Sequence, residues 1–404
     1  MNDHAMCHAT AFLRRLTLGS SAAPLLLAAA VTAVEASPES RRLTREAYDL
    51  AYDLRLNESL DLLSRARAVD PADPAPARAV AAVTWVNILC AQGVATFAAF
   101  EGTATGDVVA RPAVPAVLRS RFTIHAEQAI ALAERERHLR PYDLDAQYQL
   151  GASLGLRALY RGTVEGRALD SFNDGRKAVS LLDSVRRRAA HHHESALLPG
   201  IYRYAVSTLS FPKRLLAAAS GLGGDRDVGV ALLETAASET AATASDASMV
   251  LMIVYNREGR HRDALRHLRM LHRRHPANRL LRLNLAATEL AAGDGAAAIK
   301  TIGDVPPGLA EPQIPGERAL WLYIRGAARV RVGDPSAGAD LQEALTAGPR
   351  EWVRARVHLE LARLALASGS RVTAQKELER AVHHARRAGD RTALAAAREL
   401  PANF

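Results

Sequence analysis

The stretch LMIVYNREGRHRDALRHLRMLHRRHP, residues 251–276, decides the fold class of this chain. It begins with an apolar run, and Gly259 separates that run from a second half in which Ala264 and Leu268 stand four residues apart. Glycine readily adopts the left-handed conformation that ends many helices, and a spacing of four places two side chains on one helix face. The stretch therefore predicts two helices joined by a tight turn, the second of which ends before Pro276.

The turn glycine recurs towards the C-terminus. Glycines 259, 293, 333 and 369 are separated by 34, 40 and 36 residues. Five residues after each of them we expect a small residue that lets the second helix approach the first, namely Ala264, Ala298, Gly338 and Ala374. The core positions that follow nine and twelve residues after each glycine are Leu268 and Leu271, Ile302 and Val305, Gln342 and Leu345, and Leu378 and Ala381. Gln342 and Arg325 break the pattern in the third unit.

A period near 34 residues with this pattern resembles the tetratricopeptide repeat. The consensus-like positions are Leu251, Tyr255, Gly259, Ala264, Leu268 and Pro276, and two degenerate pairs end at Pro71 and Pro141. The resemblance implies an α-solenoid of antiparallel helix pairs that forms a right-handed superhelix. Composition independently predicts an all-α fold, because alanine and leucine dominate, aromatic residues make up 5 %, and no strand-like alternation is found. A generic helical array outside this family is the alternative.

The central segment SALLPGIYRYAVSTLSFPKRLLAAASGLGGDRDVGVALL, residues 195–233, is more specific. It resembles a block of the tetratricopeptide repeat protein 39 and inclusion-body-clearance family, a helical family that is not known for catalysis. We interpret the block as a structural motif in which Asp225 caps a helix. The residues of this motif are Gly200, Tyr204, Pro212, Gly221, Gly224, Asp225, Arg226 and Gly229.

The N-terminus predicts export. Arg14 and Arg15 precede an uncharged stretch from Leu16 to Val34, and Ala36 closes a small-residue cleavage site. We therefore predict a signal peptide over residues 1–36 of a bacterial, periplasmic protein, with an uncleaved inner-membrane anchor as the alternative. The mature chain would retain Cys90 alone, which excludes an intrachain disulfide. We further predict a degenerate helical domain over 37–241 and regular repeats over 242–404.

Three chemical motifs have plainer structural explanations. Residues 151–155 match G-x-S-x-G, but a nucleophile elbow needs a preceding strand, so we favour close helix packing around Ser153 over a serine hydrolase. Neither residues 191–193, three consecutive histidines, nor the pair His272 and His275 predicts a metal site, because the first do not converge on one ion and arginines surround the second. Residues 79–100 contain no charge, and we favour a buried helix pair over a membrane span. We therefore predict no cofactor, no metal and no enzymatic activity.

These observations favour a scaffold that recognises a protein or peptide. The net charge of +9 allows acidic partners, yet arginine and glutamate interleave along most helices, so we do not expect nucleic-acid binding, while peripheral membrane association stays possible. A lipid or small-ligand protein with an apolar pocket between Trp85 and Phe100 is the main rival. The resemblance to tetratricopeptide repeats implies a groove along the first helices of the pairs, which includes Asn256, Arg257, Tyr323, Arg331, Arg356 and Arg363.

Overall fold

The computed structural model describes residues 37–93, 113–208, 223–238, 241–306 and 314–400. Within these ranges the chain forms seventeen α-helices and no strand. The all-α prediction is confirmed, and so is the construction from helix pairs. The predicted leader, Pro212 and Gly221 lie outside the described residues.

The chain divides into two compact units. Unit 1 comprises Met1–Ile88 and Val114–Val254, and unit 2 comprises Leu89–Ala113 and Tyr255–Phe404. Nine of the described helices begin in unit 1: α1 (Pro38–Tyr52), α2 (Leu56–Val69), α3 (Pro74–Ala91), α4 (Ala116–Leu139), α5 (Leu144–Tyr160), α6 (Ala168–Arg188), α7 (Leu197–Ser207), α8 (Arg226–Ala236) and α9 (Ala244–Arg257). The predicted boundary between residues 241 and 242 is not tested by this division and stays a prediction.

The other eight described helices lie in unit 2, and the regular pairs run from α9 to α16. These eight are α10 (His261–Arg274), α11 (Arg279–Ala291), α12 (Gly295–Ile302), α13 (Glu317–Val332), α14 (Ala337–Thr346), α15 (Glu351–Ala367), α16 (Arg371–Ala388) and α17 (Arg391–Glu399). A π-helical turn, Arg161–Glu165, follows α5, and a 3-10 turn, His193–Ala196, precedes α7.

The predicted turn glycines join the two helices of each regular pair. Gly259, Gly293, Gly333 and Gly369 have φ values of +69°, +86°, +72° and +75°. The residue after each glycine donates its backbone N–H to a carbonyl five residues earlier, as from Arg260 to Tyr255 at 2.8 Å. This arrangement satisfies carbonyls that the helix end leaves free. The prediction that these four glycines form the tight turns between paired helices is therefore confirmed.

The predicted small-residue positions are buried in the first, second and fourth pairs, whereas the buried position of the third pair is shifted. Ala264, Ala298 and Ala374 are fully buried, whereas a Cβ added at Gly338 would meet no atom within 4 Å. The turn of the third pair runs on through Pro335, so that α14 begins only at Ala337. Its buried positions come one residue early, and the predicted Gly338, Gln342 and Leu345 are wrong by one residue. The side chains that fill the core there are Ala337, Leu341 and Ala344.

Unit 1 uses the same turn without a glycine. Between α1 and α2, Leu54 has a φ of +62°, and Arg55 donates its backbone N–H to the Leu50 carbonyl at 2.9 Å. A left-handed conformation costs a residue with a Cβ about 1–2 kcal/mol. The close packing of α1 against α2 therefore holds Leu54 in a conformation that its own sequence does not favour.

The central block packs α7 tightly against α8. A Cβ at Gly229 would come within 2.7 Å of the Tyr204 backbone nitrogen, and one at Gly200 within 3.1 Å of the Gly229 carbonyl oxygen. Gly224 likewise lies against the end of α7. Asp225 accepts a hydrogen bond from the Val228 backbone N–H at 3.0 Å and so caps α8. In this block the glycines allow backbone contact, and the aspartate orients the second helix.

Candidate functional site

The predicted groove residues lie on first helices of the pairs in unit 2. On α9, Asn256 is buried, and its Nδ2 donates to Thr288 Oγ1 on α11 at 3.0 Å. The Asn256 Oδ1 lies 3.2 Å from Nδ1 of His261, the first residue of α10. Asn256 therefore links three helices, while the neighbouring Arg257 is exposed.

Arg331 and Arg363 converge on one carboxylate. Arg331 Nη1 on α13 donates to Glu360 Oε2 on α15 at 3.2 Å, and Arg363 Nη1 donates to Glu360 Oε1. The Glu360 side chain is only 5 % exposed, whereas the two arginine side chains are 38 % and 24 % exposed. Charge-assisted hydrogen bonds of this kind fix side-chain geometry. The arrangement, named here the Glu360 cluster, holds two accessible guanidinium groups in place on adjacent first helices.

Two other predicted groove residues face the interior. Arg356 is 5 % exposed; its Nε donates to Asp390 Oδ2 at 2.8 Å, and its guanidinium lies 5.0 Å from the centre of the Trp352 ring. Asp390 also caps α17 through the backbone N–H of Ala393 at 3.0 Å. Tyr323 is likewise buried. Arg356 therefore offers no accessible side chain to a groove ligand, because this arginine joins α15 to the start of α17.

A second arrangement of paired arginines was not found from the sequence. In unit 2, Arg325 donates through Nε and Nη2 to both oxygens of Asp340 at 2.9 and 2.7 Å, and Arg329 Nη1 adds a third bond at 2.6 Å. The hydrogen bonds to Asp340 raise the pKa of Arg325. Asp340 is buried on α14, so the three groups, named here the Asp340 clamp, fix the register of the third pair. The signal that could have revealed it is Arg325 itself, which breaks the repeat pattern.

Unit 1 contains a matching set on α5 and α6, named here the Asp174 clamp. Arg157 donates through Nε and Nη2 to the two Asp174 oxygens at 2.8 and 2.9 Å, and Arg161 Nη1 adds a bond at 2.6 Å. Glu127 on α4 also contacts both arginines, at 2.7 and 3.7 Å. Both clamps are therefore structural ion clusters between paired helices.

Ser153 lies in the middle of α5 and is 1 % exposed. A Cβ at Gly151 would come within 2.9 Å of the Leu182 side chain, and one at Gly155 would come closer still to Leu198. The interpretation that these small residues allow close helix packing is confirmed. Helical backbone around a buried serine provides no strand-to-helix elbow, so this motif is no evidence of a hydrolase.

The described ranges hold no group of three or more His, Cys, Asp or Glu side chains that could bind a metal ion. None of the helices in those ranges is long and apolar enough to cross a membrane. Of the uncharged segment 79–100, residues up to Ala91 belong to α3, and residues 94–100 lie outside the described part of the chain. His275 is buried, and its carbonyl accepts from the Asn278 backbone N–H at 3.1 Å.

Comparison with known proteins identifies neither a family nor a sequence relative, because no family model and no curated protein sequence matches the chain. Among solved structures it is similar to a tetratricopeptide repeat protein from Parabacteroides merdae ATCC 43184, with 13 % sequence identity and a TM-score of 0.28 over 80 % of this chain and 99 % of that one. The fold class therefore rests on the helices themselves, and the resemblance of the central block to the tetratricopeptide repeat protein 39 family stays a prediction.

Proposed function

We propose that this chain is an exported, non-catalytic scaffold that binds a segment of a partner protein along the first helices of unit 2. The Glu360 cluster supports this proposal most directly. It fixes two accessible guanidinium groups on α13 and α15, and fixed side chains lose less conformational entropy on binding than free ones.

The charge of the cluster indicates the kind of segment that would bind. Two arginines share one buried carboxylate, which leaves a surplus of positive charge, and Arg257 adds an exposed cation on α9. Arginine forks suit carboxylate oxygens particularly well. We therefore propose an acidic segment of the partner as the ligand of this surface.

Export is the second part of the proposal and rests on the N-terminal sequence alone. Arg14 and Arg15, the apolar stretch and Ala36 support a cleaved leader and a periplasmic location. Intact-mass measurement of the protein from its native host tests this part. A mature chain that begins at Ser37 is expected, and an unprocessed Met1 would favour the anchored alternative.

Site-specific photo-crosslinking tests the binding surface. A photoreactive amino acid at Arg257 should crosslink to one partner protein in the native host. The matched control is Arg387 on α16, whose side chain is 61 % exposed and which should give no such product. The binding surface would be wrong if the control position captured the same partner with equal yield.

A titration with model peptides tests the charge of the ligand. A labelled ten-residue glutamate peptide should bind the full chain, and a lysine peptide of the same length should not. Arg363→Ala should weaken the binding of the acidic peptide about tenfold, which is the effect of one lost charge-assisted hydrogen bond. Equal affinity for both peptides would contradict an acidic ligand while leaving a scaffold function possible.

A further inference from the structure

Two histidines lie face to face between α15 and α16. The imidazole rings of His358 on α15 and His384 on α16 are stacked, with their centres 5.5 Å apart and their planes 9° apart. His358 is 7 % exposed, and the His384 side chain is 19 % exposed. The ring of the exposed His383 stands nearly perpendicular to that of His384, at 5.1 Å between centres. The stack is therefore a mostly buried contact between two groups that can each take up a proton near neutral pH.

Each histidine of the stack hydrogen-bonds to a carboxylate of the opposite helix. His358 Nδ1 lies 2.6 Å from Glu377 Oε2, and His384 Nδ1 lies 2.9 Å from Glu351 Oε2. An ionised carboxylate can only accept a hydrogen bond, so Nδ1 carries the hydrogen in both rings. The remaining nitrogen, Nε2, is therefore the atom that takes up a further proton in each histidine.

Arginines already balance the charges of these two carboxylates. Arg380 Nη1 donates to Glu377 Oε1 at 2.7 Å, and Arg387 Nε lies 3.9 Å from Glu351 Oε2. Arg354 on α15 adds a further positive charge that acts on Glu351. With both imidazoles neutral the group has no surplus of negative charge. A proton on each ring therefore adds positive charge that neither carboxylate is free to offset.

The carboxylates of the other helices packed against α15 are engaged elsewhere or exposed. Asp390, which precedes α17, binds Arg356, and Glu399 near the end of α17 is exposed. The carboxylates of α13 and α14 bind arginines, namely Glu317 with Arg279, Asp340 with Arg325 and Arg329, and Glu343 with Arg318. In the described ranges only Glu351 and Glu377 bind the two stacked rings.

The environment of the stack favours neutral His358. Burial lowers the pKa of His358, and the charges of His384 and Arg380 lower it further, while the hydrogen bond with Glu377 acts in the opposite direction. Because the pKa is depressed in the folded chain, the unfolded or opened chain binds this proton more readily. The stability that neutral His358 contributes is therefore present above about pH 6.5, the ordinary histidine value, and is lost as the pH falls below it.

We propose that the His358–His384 stack is an acid-sensitive joint, at which a fall from about pH 7 to about pH 5.5 loosens α16 from α15. Two imidazolium groups repel each other in a mostly buried contact, where water screens them poorly, and opening lets both reach water. Because α15 also carries Arg363 of the Glu360 cluster, the same loosening would weaken the binding of an acidic segment. That consequence rests on the proposed function, whereas the joint itself does not.

Hydrogen exchange of the full chain without peptide, compared at about pH 7 and about pH 5.5, tests the joint. Protection factors, which correct for the intrinsic effect of pH on exchange, should fall in α15 and α16 by about two- to eightfold on acidification. The upper limit applies when an ordinary histidine takes up its proton only in the opened pair. Protection in α13 and α14, which contain no histidine, should change by less than about twofold.

Two matched substitutions assign the effect to the buried ring. His358→Asn places an amide donor near the Nδ1 position and cannot take up a proton, so the loss of protection in acid should disappear. His383→Asn, on the same helix as His384, replaces an exposed ring and should leave the loss as it is in the wild-type chain.

Three results would overturn the proposal. The first is a wild-type chain whose α15 and α16 are equally protected at both pH values. The second is an equal fall in α13 and α14, which would indicate general destabilisation by acid. The third is a His358→Asn variant that keeps the full loss of protection. The first two use the wild-type protein and remain decisive if His358→Asn does not fold.

Discussion

Units 1 and 2 hold a central helix pair together with the same three charges. In both clamps one arginine donates hydrogen bonds to both oxygens of a buried aspartate. A second arginine, one helical turn later, donates through Nη1 to the Oδ2 atom at 2.6 Å. The sequence distances differ, however. The two arginines stand 17 and 13 residues from Asp174, but 15 and 11 residues from Asp340.

The turn between the helices accounts for one of the two residues of this difference. In unit 1 the π-helical turn carries the chain out of α5, and Arg167 donates its backbone N–H to the Arg161 carbonyl at 2.9 Å. In unit 2 the glycine turn closes one residue sooner, from Asp334 to the Arg329 carbonyl at 3.0 Å. A π turn is the usual way to accommodate an inserted residue in a helix. The comparison teaches that the buried ion cluster sets the helix register, while the turn adapts to it.

Removal of the central aspartate should have the largest effect. Asp340→Ala leaves Arg325 and Arg329 partly buried with only a longer contact each, to the exposed Asp304 at 3.4 Å and to Asp334 at 3.6 Å. We expect it to lower the free energy of unfolding by about 3 kcal/mol. Asp174→Ala should cost about 1 kcal/mol less, because Glu127 still contacts both arginines of that clamp. Denaturant titration measures the totals, and hydrogen exchange assigns each loss to its unit. Equal losses would show that Glu127 does not substitute for Asp174.

The shifted register of the third pair gives the next largest effect. Ala337→Leu should force α14 away from α13 and cost about 1–3 kcal/mol, as should Ala264→Leu between α9 and α10. Gly338→Ala is the matched control, since nothing lies near its Cβ position; replacing a helical glycine there should stabilise the chain by about 0.5–1 kcal/mol. If Gly338→Ala destabilised the chain more than Ala337→Leu, the register set by the Asp340 clamp would be wrong.

Features that depend on local chemistry could be predicted from the sequence. The turn glycines follow from the backbone freedom of a single residue, and Ala264 and Ala298 follow from helical spacing measured from those glycines. The shift at Ala337 could not be predicted, because it depends on how Pro335 lengthens one turn and on a clamp between residues distant in sequence.

The candidate sites were harder to predict for the same reason. The side chains of Arg331 and Arg356 have equivalent chemistry in the sequence, yet one is exposed in the Glu360 cluster and the other is buried on Asp390. Only tertiary packing separates them. Likewise, nothing in the sequence shows that His358 and His384 meet between α15 and α16.

The first turn of unit 1 offers a smaller test of the same comparison. Leu54 occupies the left-handed position that glycines occupy in unit 2, so Leu54→Gly should relieve backbone strain and raise the free energy of unfolding by about 0.5 kcal/mol. The gain is small because Leu54 is half-buried and its packing is lost. The matched control, Leu54→Ala, loses the packing but keeps the strained Cβ and should therefore destabilise the chain. Thermal or denaturant unfolding distinguishes the two, and an alanine variant as stable as the glycine variant would show that Leu54 is not strained.

The smallest effect on stability is expected in the Glu360 cluster, which differs from the two clamps in the placement and exposure of its arginines. Its arginines come from two different helices and remain partly exposed, at 38 % and 24 %, and an exposed ion pair contributes only about 0–1 kcal/mol. Arg363→Ala should therefore change the free energy of unfolding by about 0.5 kcal/mol or less, since Arg331 still pairs with Glu360. The same variant should weaken the binding of the acidic peptide, whereas Arg380→Ala on α16, whose side chain is 59 % exposed, should change neither quantity appreciably. If Arg363→Ala unfolded the C-terminal helices as Asp340→Ala is expected to do, the Glu360 cluster would be a third structural clamp, and the proposed binding surface would lose its main support.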